Sequence, residues 1–222
     1  MSKPHLIMGA VVGAVATLVV TNAIIDPDAV MQQQAAAPEP AQPVLDGSIP
    51  SCDHCEAELI TLEEIESYID VAKLTGLTDQ QIRSLDIGRS NVQVALAHRG
   101  PLSEPNPRSV AVHNLVTEVY VVLSGSATNI SGPELIDAQP RPDDYRAVVY
   151  LNGPGQNAEA IANGTEVQLE AGDVYVIPAG TGHQFTRIDD HITYIMIRID
   201  PDKVVPLLDA DDSEAYLQEN LQ

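Results

Sequence analysis

Hydrophobic and polar residues alternate with a period of two along the second half of the chain, from about Asn91 onward. Residues two apart in a β-strand lie on the same face, so this period predicts strands with one apolar face. The residues that share predicted faces are Val92, Val94, Leu96 and His98; Ala111 and His113; and Glu118, Tyr120 and Val122.

Further strands are predicted downstream, where Gly-Pro, Asn-Gly and Gly-Asp turns separate apolar runs. Their approximate ranges are 146–151, 165–169, 173–177, 183–188 and 192–199. Residues 131–145 are rich in proline and predict a surface excursion. Many short strands without helices between them predict an all-β fold, either an antiparallel sandwich or a jelly roll.

A helical pattern precedes the strands. Thr61-Leu62-Glu63-Glu64 has the sequence of a capping box, apolar residues then recur near helical spacing, and Gly76 supplies a stop. After Gly76, either a second short helix from Thr78 or a strand from Ile82 to Ile87 fits the sequence. Residues 56–87 are therefore predicted as a short helical segment that braces the strands, and residues 201–222 as an acidic tail with a helix from about Ser213.

The amino terminus contains an apolar run from Leu6 to Ile25, which is long enough to span a bilayer as a helix. Lys3 before the run and two aspartates after it orient the rest of the chain outward. Small residues near the end of the run also fit a cleaved signal peptide. Residues 1–28 are thus predicted to be a membrane anchor or a signal, so that the protein is exported, either facing the periplasm or exterior or secreted.

Residues 29–55 predict a flexible linker rich in proline, alanine and glutamine. The linker ends in Cys52-Asp53-His54-Cys55, a spacing that suits a metal site, a redox dithiol or a small disulfide. A local disulfide is favoured in an oxidising compartment, because the flanks offer neither further zinc ligands nor a thioredoxin-like context.

The amino-acid composition limits the classes of molecule that the chain could bind. The 222-residue chain has 32 acidic against 11 basic side chains and a formal net charge of −21. Nucleic acids and anionic lipids are bound through Lys and Arg, so the charge balance excludes nucleic acid as a partner. A hydrophobic content of 44% is that of a globular domain.

Two segments carry candidate chemistry: His113-x4-Glu118-x6-Gly125, and Gly172-x5-Pro178-x-Gly180-x2-His183. Together they resemble the paired signature of the cupin superfamily, G-x5-H-x-H-x3–4-E-x6-G followed by G-x5-P-x-G-x2-H-x3-N. The chain departs from this signature at three positions, which are Pro105, Ala111 and Arg187.

The resemblance implies a cupin double-stranded β-helix, a jelly-roll barrel, over residues 88–200. It also implies that His113, Glu118 and His183 meet inside the barrel. Two imidazoles and a carboxylate suit a divalent ion of Fe, Mn, Ni or Zn. Ala111 stands where the family has a fourth ligand, and His98 is either its substitute or a histidine hydrogen-bonded at the barrel rim.

Two further residues are candidates for catalysis. Tyr120 shares the strand face of Glu118 and could act as a general acid or base, as in cupin lyases with a similar Glu-x-Tyr pairing, or could simply fill the strand. Arg187 lies four residues after His183 and is predicted on the same face, where it could anchor an anionic substrate; otherwise it pairs with a surface acid.

The sequence leaves three hypotheses. The first is an exported metal-dependent cupin enzyme acting on a small organic metabolite, with oxygenase, lyase and isomerase chemistry all open. The second is a non-catalytic module that binds a small molecule or a metal. The third is a structural homodimer built on the apolar strand face of Val119, Val121 and Leu123. Fold alone does not choose among them.

Overall fold

The computed structural model describes Gly47, residues 50–52 and residues 55–221. The chain divides into two compact units, Met1–Gly47 and Ser48–Gln222. The predicted anchor or signal and most of the predicted linker lie outside the described residues. Among those that are described, no helix is long and apolar enough to cross a membrane. Cys52 and Cys55 form a disulfide.

Strands dominate the described part of the second unit. The helices are α1 (Leu62–Thr75) and α2 (Ala210–Asn220), and a π-helical turn spans Val148–Asn152. The strands are β1 (Asp79–Asp86), β2 (Asn91–Arg99), β3 (Val110–His113), β4 (Thr117–Gly132), β5 (Glu134–Ile136), β6 (Gln139–Pro140), β7 (Gly155–Ala158), β8 (Ala160–Ala162), β9 (Thr165–Glu170), β10 (Val174–Ile177), β11 (Gly182–Arg187) and β12 (Ile192–Asp200).

Strand β4 joins two antiparallel sheets. Its first half pairs with β12 and β10, and its second half pairs with β11 and β9. The change occurs at Gly125, which has φ 75°, and an added Cβ there would collide with the carbonyl oxygen of His191. Only glycine fits this close approach without strain. The resulting sheets have the orders β1-β2-β12-β4-β10 and β9-β4-β11-β3-β7-β6.

The core lies between these two sheets. Buried side chains from both meet there, among them Ala97, Tyr120 and Tyr194 from the first sheet and Leu169 and Phe185 from the second. The antiparallel strands curl around this core into a jelly-roll barrel. The predicted all-β jelly-roll fold is confirmed.

A second apolar cluster lies outside the barrel, where the two helices cover the outer face of the first sheet. It contains Tyr68 of α1, Ile82 of β1 and Leu96 of β2, and the rings of Tyr68 and Tyr216 stack at 5.9 Å between centroids. Helix α1 begins as predicted, because the Thr61 side chain accepts a hydrogen bond from the Glu64 N–H at 3.1 Å. It ends at Gly76, which adopts the left-handed conformation.

Three segments differ from the sequence-based prediction. The helical segment expected over 56–87 is helical only to Thr75, and β1 then pairs with β2 in the first sheet. Residues 146–151, predicted as a strand, instead include most of the π-helical turn. The carboxy-terminal helix begins at Ala210, earlier than expected, because the Asp209 side chain caps it.

The outer face of β4 is partly covered. Val121 packs against the cluster beneath the helices, whereas Leu123 is 43% exposed. The expected homodimer stays a prediction.

The outer cluster predicts a contrast between two isoleucines, Ile82 within β1 and Ile87 directly after it. We expect Ile82→Ala, at a fully buried position, to lower the free energy of unfolding by about 2–5 kcal/mol, because it leaves a cavity under α1 and α2. Ile87→Ala is the matched control, since Ile87 is 45% exposed, and should change stability by less than about 0.5 kcal/mol. Urea unfolding followed by circular dichroism measures both, and equal losses would contradict this packing.

Candidate metal centre

Three of the predicted ligands meet inside the barrel. His113 ends β3, Glu118 is the second residue of β4, and His183 is the second residue of β11. The turn between β3 and β4 reverses the chain, which returns the Glu118 carboxylate to His113. Glu118 Oε2 lies 3.4 Å from His113 Nε2 and 3.5 Å from His183 Nε2. All three residues are buried, with Glu118 1% exposed.

These distances fit a shared cation. Two ligand atoms each about 2.1 Å from an ion, at a tetrahedral angle, are about 3.4 Å apart. The three candidate ligand atoms lie within 4.8 Å of one another. The residues therefore fit a small divalent ion in both donor type and spacing.

The hydrogen bond on the far side of His183 supports the same conclusion. His183 Nδ1 lies 3.2 Å from the Thr181 carbonyl oxygen, which can only accept, so Nδ1 carries a proton. In the tautomer that binds a metal, Nε2 then carries a lone pair, and this atom lies 3.5 Å from Glu118 Oε2. Two acceptors facing each other in a buried site need a cation or a proton between them.

The Glu118 carboxylate is held from both sides. Oε1 accepts hydrogen bonds from Arg198 Nε at 2.9 Å and Asn152 Nδ2 at 3.2 Å, and Oε2 accepts one from the Tyr120 hydroxyl at 2.9 Å. Arg198 is fully buried and also donates to Gln81 and Asp79. Oε1 is thus committed to the protein, while Oε2 faces the two histidines.

Charge sets the protonation states of the cluster. Burial acts to raise the pKa of Glu118, but the charge of Arg198 and a hydrogen bond from His113 outweigh it and hold that pKa well below its ordinary value. Burial lowers the pKa of His113, despite the attraction of Glu118. An ionised carboxylate beside a neutral imidazole is the ligand state that metal binding requires.

Tyr120 sits in an aromatic stack beside the cluster. Its ring centroid is 4.4 Å from that of Tyr194 and 6.3 Å from that of Phe185. Burial, and then the Glu118 charge, raise the pKa of Tyr120 well above its ordinary value. Its hydroxyl therefore stays protonated and donates to Glu118.

The cluster opens into two adjoining cavities. A cavity of about 160 Å³ is lined by all three candidate ligands together with Tyr120. A larger one of about 450 Å³ leads away from it toward the end of α1. Four residues line both: Arg99, Ala111, Tyr120 and His183. A small molecule in the larger cavity would therefore reach the cluster along shared walls.

His98 does not join the three candidate ligands. Its Nδ1 lies 2.8 Å from the Thr193 hydroxyl, and its ring is 5.8 Å from that of His191. The apolar residues that share its parity on β2 face the helices outside the barrel, and Leu96 belongs to that outer cluster. His98 lines only the larger cavity, and Ala111 lies opposite His183 in the strand register without supplying a ligand.

Arg187 also lies away from the cluster. Its side chain is 67% exposed and pairs with Asp189 at 2.7 Å. The register of β11 against β4 shifts between Phe185 and Arg187. This bulge reverses the alternation of faces, so Ile188 rather than Arg187 follows Phe185 into the core.

The smaller cavity is also lined by four residues that were not predicted as site residues from the sequence, which are Arg198, Asn152, Arg99 and Arg141. Arg198 could have been identified from the sequence, because it is a charged residue in the apolar strand β12, on the same face as Met196 and Tyr194. Asn152 could not have been identified in this way, because its position depends on a π-helical turn. Turns of this kind are often found at functional sites.

The fold and the site define a class of protein: an all-β jelly-roll barrel with a buried His-Glu-His group able to hold a metal ion. No family model matches the sequence, and no curated protein matches it.

Solved structures give weak similarities. A protein of Bacillus halodurans is 16% identical, with 73% of this chain and 98% of that chain covered and a TM-score of 0.38. A cupin 2 conserved barrel domain protein of Salinispora arenicola is 13% identical, with 64% and 82% covered and a TM-score of 0.31. The DMSP lyase DddQ of Ruegeria pomeroyi is 14% identical, with 54% and 43% covered and a TM-score of 0.32.

The buried ion pair predicts a pH-dependent loss of stability. In metal-free protein, we expect Arg198→Met to lower the free energy of unfolding by about 3–5 kcal/mol at about pH 8, because it leaves a buried carboxylate without its cation. The pKa of Glu118 is low in the parent and rises in the variant. The variant's deficit is therefore expected to be largest at high pH and to shrink as the pH falls and Glu118 takes up a proton.

Urea unfolding at several pH values tests this expectation. The double variant Arg198→Met/Glu118→Gln is the control, since it removes both charges and should recover part of the stability with no such pH trend. A deficit that is independent of pH in the single variant would show that Arg198 acts through packing alone.

Proposed function

We propose that this protein is an exported, metal-dependent cupin enzyme that acts on a small organic metabolite. The observation that carries the proposal is that His183 Nε2 and Glu118 Oε2, two atoms able to bind a metal ion, face each other at 3.5 Å beside a cavity. Catalytic metal sites keep a position open to substrate, and the cavity provides the space for one. The resemblance to the cupin signature, seen at His113, Glu118 and His183, supports the assignment.

Each residue has a proposed role. His113, Glu118 and His183 hold a divalent ion of Fe, Mn, Ni or Zn, which would supply Lewis-acid chemistry to a bound substrate. Tyr120 is the proposed proton donor, because its hydroxyl lies 2.9 Å from Glu118 Oε2 and lines both cavities. Oxygenase, lyase and isomerase reactions all fit these parts.

Metal content is the first test. We expect the full-length protein, purified without chelator or affinity metal, to contain about one equivalent of a transition metal per chain. His183→Ala should contain little, because it removes one of three ligands. His98→Ala is the matched control and should keep the metal, since His98 lies outside the cluster. No metal in the parent, even after reconstitution with each candidate ion, would overturn the proposal.

Turnover separates an enzyme from a binding module. The metal-loaded parent and His183→Ala are incubated with a panel of small organic acids, and products are followed by nuclear magnetic resonance. Metal-dependent product formation in the parent alone supports the enzyme. Tight binding of metal and acids without any product would favour the non-catalytic module instead.

A further inference from the structure

The barrel places an unpaired arginine beside the candidate metal centre. Arg99 is the last residue of β2 and shares the inward parity of Ala95 and Ala97, which belong to the core. Its Nε donates to the Tyr194 hydroxyl at 3.0 Å, and its guanidinium carbon lies 5.1 Å from the centre of the Phe185 ring. These contacts fix the plane of the guanidinium against the aromatic wall.

No carboxylate pairs with Arg99 among the described residues. Its only hydrogen-bond partner there is the neutral Tyr194 hydroxyl, reached through Nε, so both Nη nitrogens are left without one. An arginine side chain stays charged and offers five N–H donors in a fork that matches a carboxylate. In a chain with 32 acidic side chains, a half-buried arginine without an acidic partner is a candidate anion site.

A second arginine reaches the same cavity from the other sheet. Arg141 follows β6, and its Nε donates to Asn157 Oδ1 at 2.8 Å. Its Nη1 lies 3.4 Å from His113 Nδ1, which is a long contact. Arg141 forms no ion pair with a carboxylate in the described part of the chain either. The donors of Arg99 and Arg141 therefore border one space.

The net charge of the residues that line the smaller cavity is opposite in sign to the net charge of the whole chain. The small cavity is lined by three arginines, Arg99, Arg141 and Arg198, and by two carboxylates, Asp79 and Glu118. Arg198 pairs with both carboxylates, so the positive charges of Arg99 and Arg141 are left without paired acids, and one net positive charge remains. A divalent ion on the histidines would add to it. The chain as a whole carries −21.

From this arrangement we infer that Arg99 and Arg141 form an anion subsite that binds the carboxylate group of the substrate beside the metal centre. The inference rests on the proposed function and names its substrate class as a small organic acid. A cavity of about 160 Å³ has the volume of about five water molecules, which suits a compact acid. Larger substrates would extend into the adjoining cavity of about 450 Å³, which Arg99 also lines.

The test compares two probes of similar shape, malonate and the neutral malonamide, by isothermal titration calorimetry. The full-length protein is used as purified and again after chelator treatment, so that direct contact between malonate and a metal is separated from binding to the arginines. Malonate should bind both preparations, and malonamide at least about 10-fold more weakly, because only malonate offers charged acceptors.

Variants assign the binding to residues. Arg99→Met and Arg141→Met should each weaken malonate binding by about 10- to 100-fold, and Arg99→Lys should fall between, since it keeps the charge but loses the fork. Arg89→Met is the matched control, because Arg89 is exposed and lines neither cavity. Circular dichroism and metal content, measured on every variant, exclude misfolding and loss of the metal centre.

The possible outcomes separate this inference from the proposed function. Equal affinity for malonate and malonamide, or malonate affinity unchanged in Arg99→Met, would overturn the anion subsite even if the parent holds metal. Loss of malonate binding in Arg187→Met but not in Arg99→Met would also overturn the anion subsite, and would show that malonate binds at the surface near Arg187. A parent protein that holds no metal even after reconstitution, yet binds malonate in an Arg99-dependent way, would support the subsite and reject the metalloenzyme.

Discussion

The buried ion pair between Arg198 and Glu118 is the interaction on which the rest of the structure depends. Burying either charge alone would be strongly unfavourable, and the pair is stable only because its remaining donors and acceptors are satisfied. The two residues stand directly opposite each other in the register of β12 and β4. A slip of one residue would turn Arg198 out of the barrel and leave the Glu118 carboxylate without its cation. The geometry of the site therefore requires this register of the sheet.

The same pair explains why one carboxylate oxygen is available to a metal. Arg198 and Asn152 occupy Oε1, which leaves Oε2 toward His113 and His183. Asn152 comes from a π-helical turn rather than a strand, and from this turn its amide reaches Glu118. The irregular segment thus stabilises the most charged point of the interior.

Much of this structure could be predicted from the sequence, because the informative features were local. The resemblance to the cupin signature implied that His113, Glu118 and His183 meet, and Thr61 and Gly76 marked the ends of α1. The incorrect predictions concerned the face of the sheet on which a side chain lies. Alternation on β2 was real, but its apolar face lies under the helices, so Arg99 rather than His98 enters the barrel. A bulge beside Arg187, invisible in sequence, reversed the face of that residue. Arg198 lies 80 residues from Glu118, and only the folded register pairs them.

The electrostatic layout follows from these placements. Most of the acidic side chains of the described residues lie on the surface, where water solvates them, whereas the candidate metal centre is surrounded by arginines from β2, β12 and the segment after β6. A strongly acidic protein repels small anions at long range, and salt screens that repulsion beyond about 10 Å. Inside the barrel screening is weak, so the nearby guanidinium groups dominate. For the proposed anion subsite, selection of a ligand would therefore rest on the contacts within the cavity rather than on steering toward it.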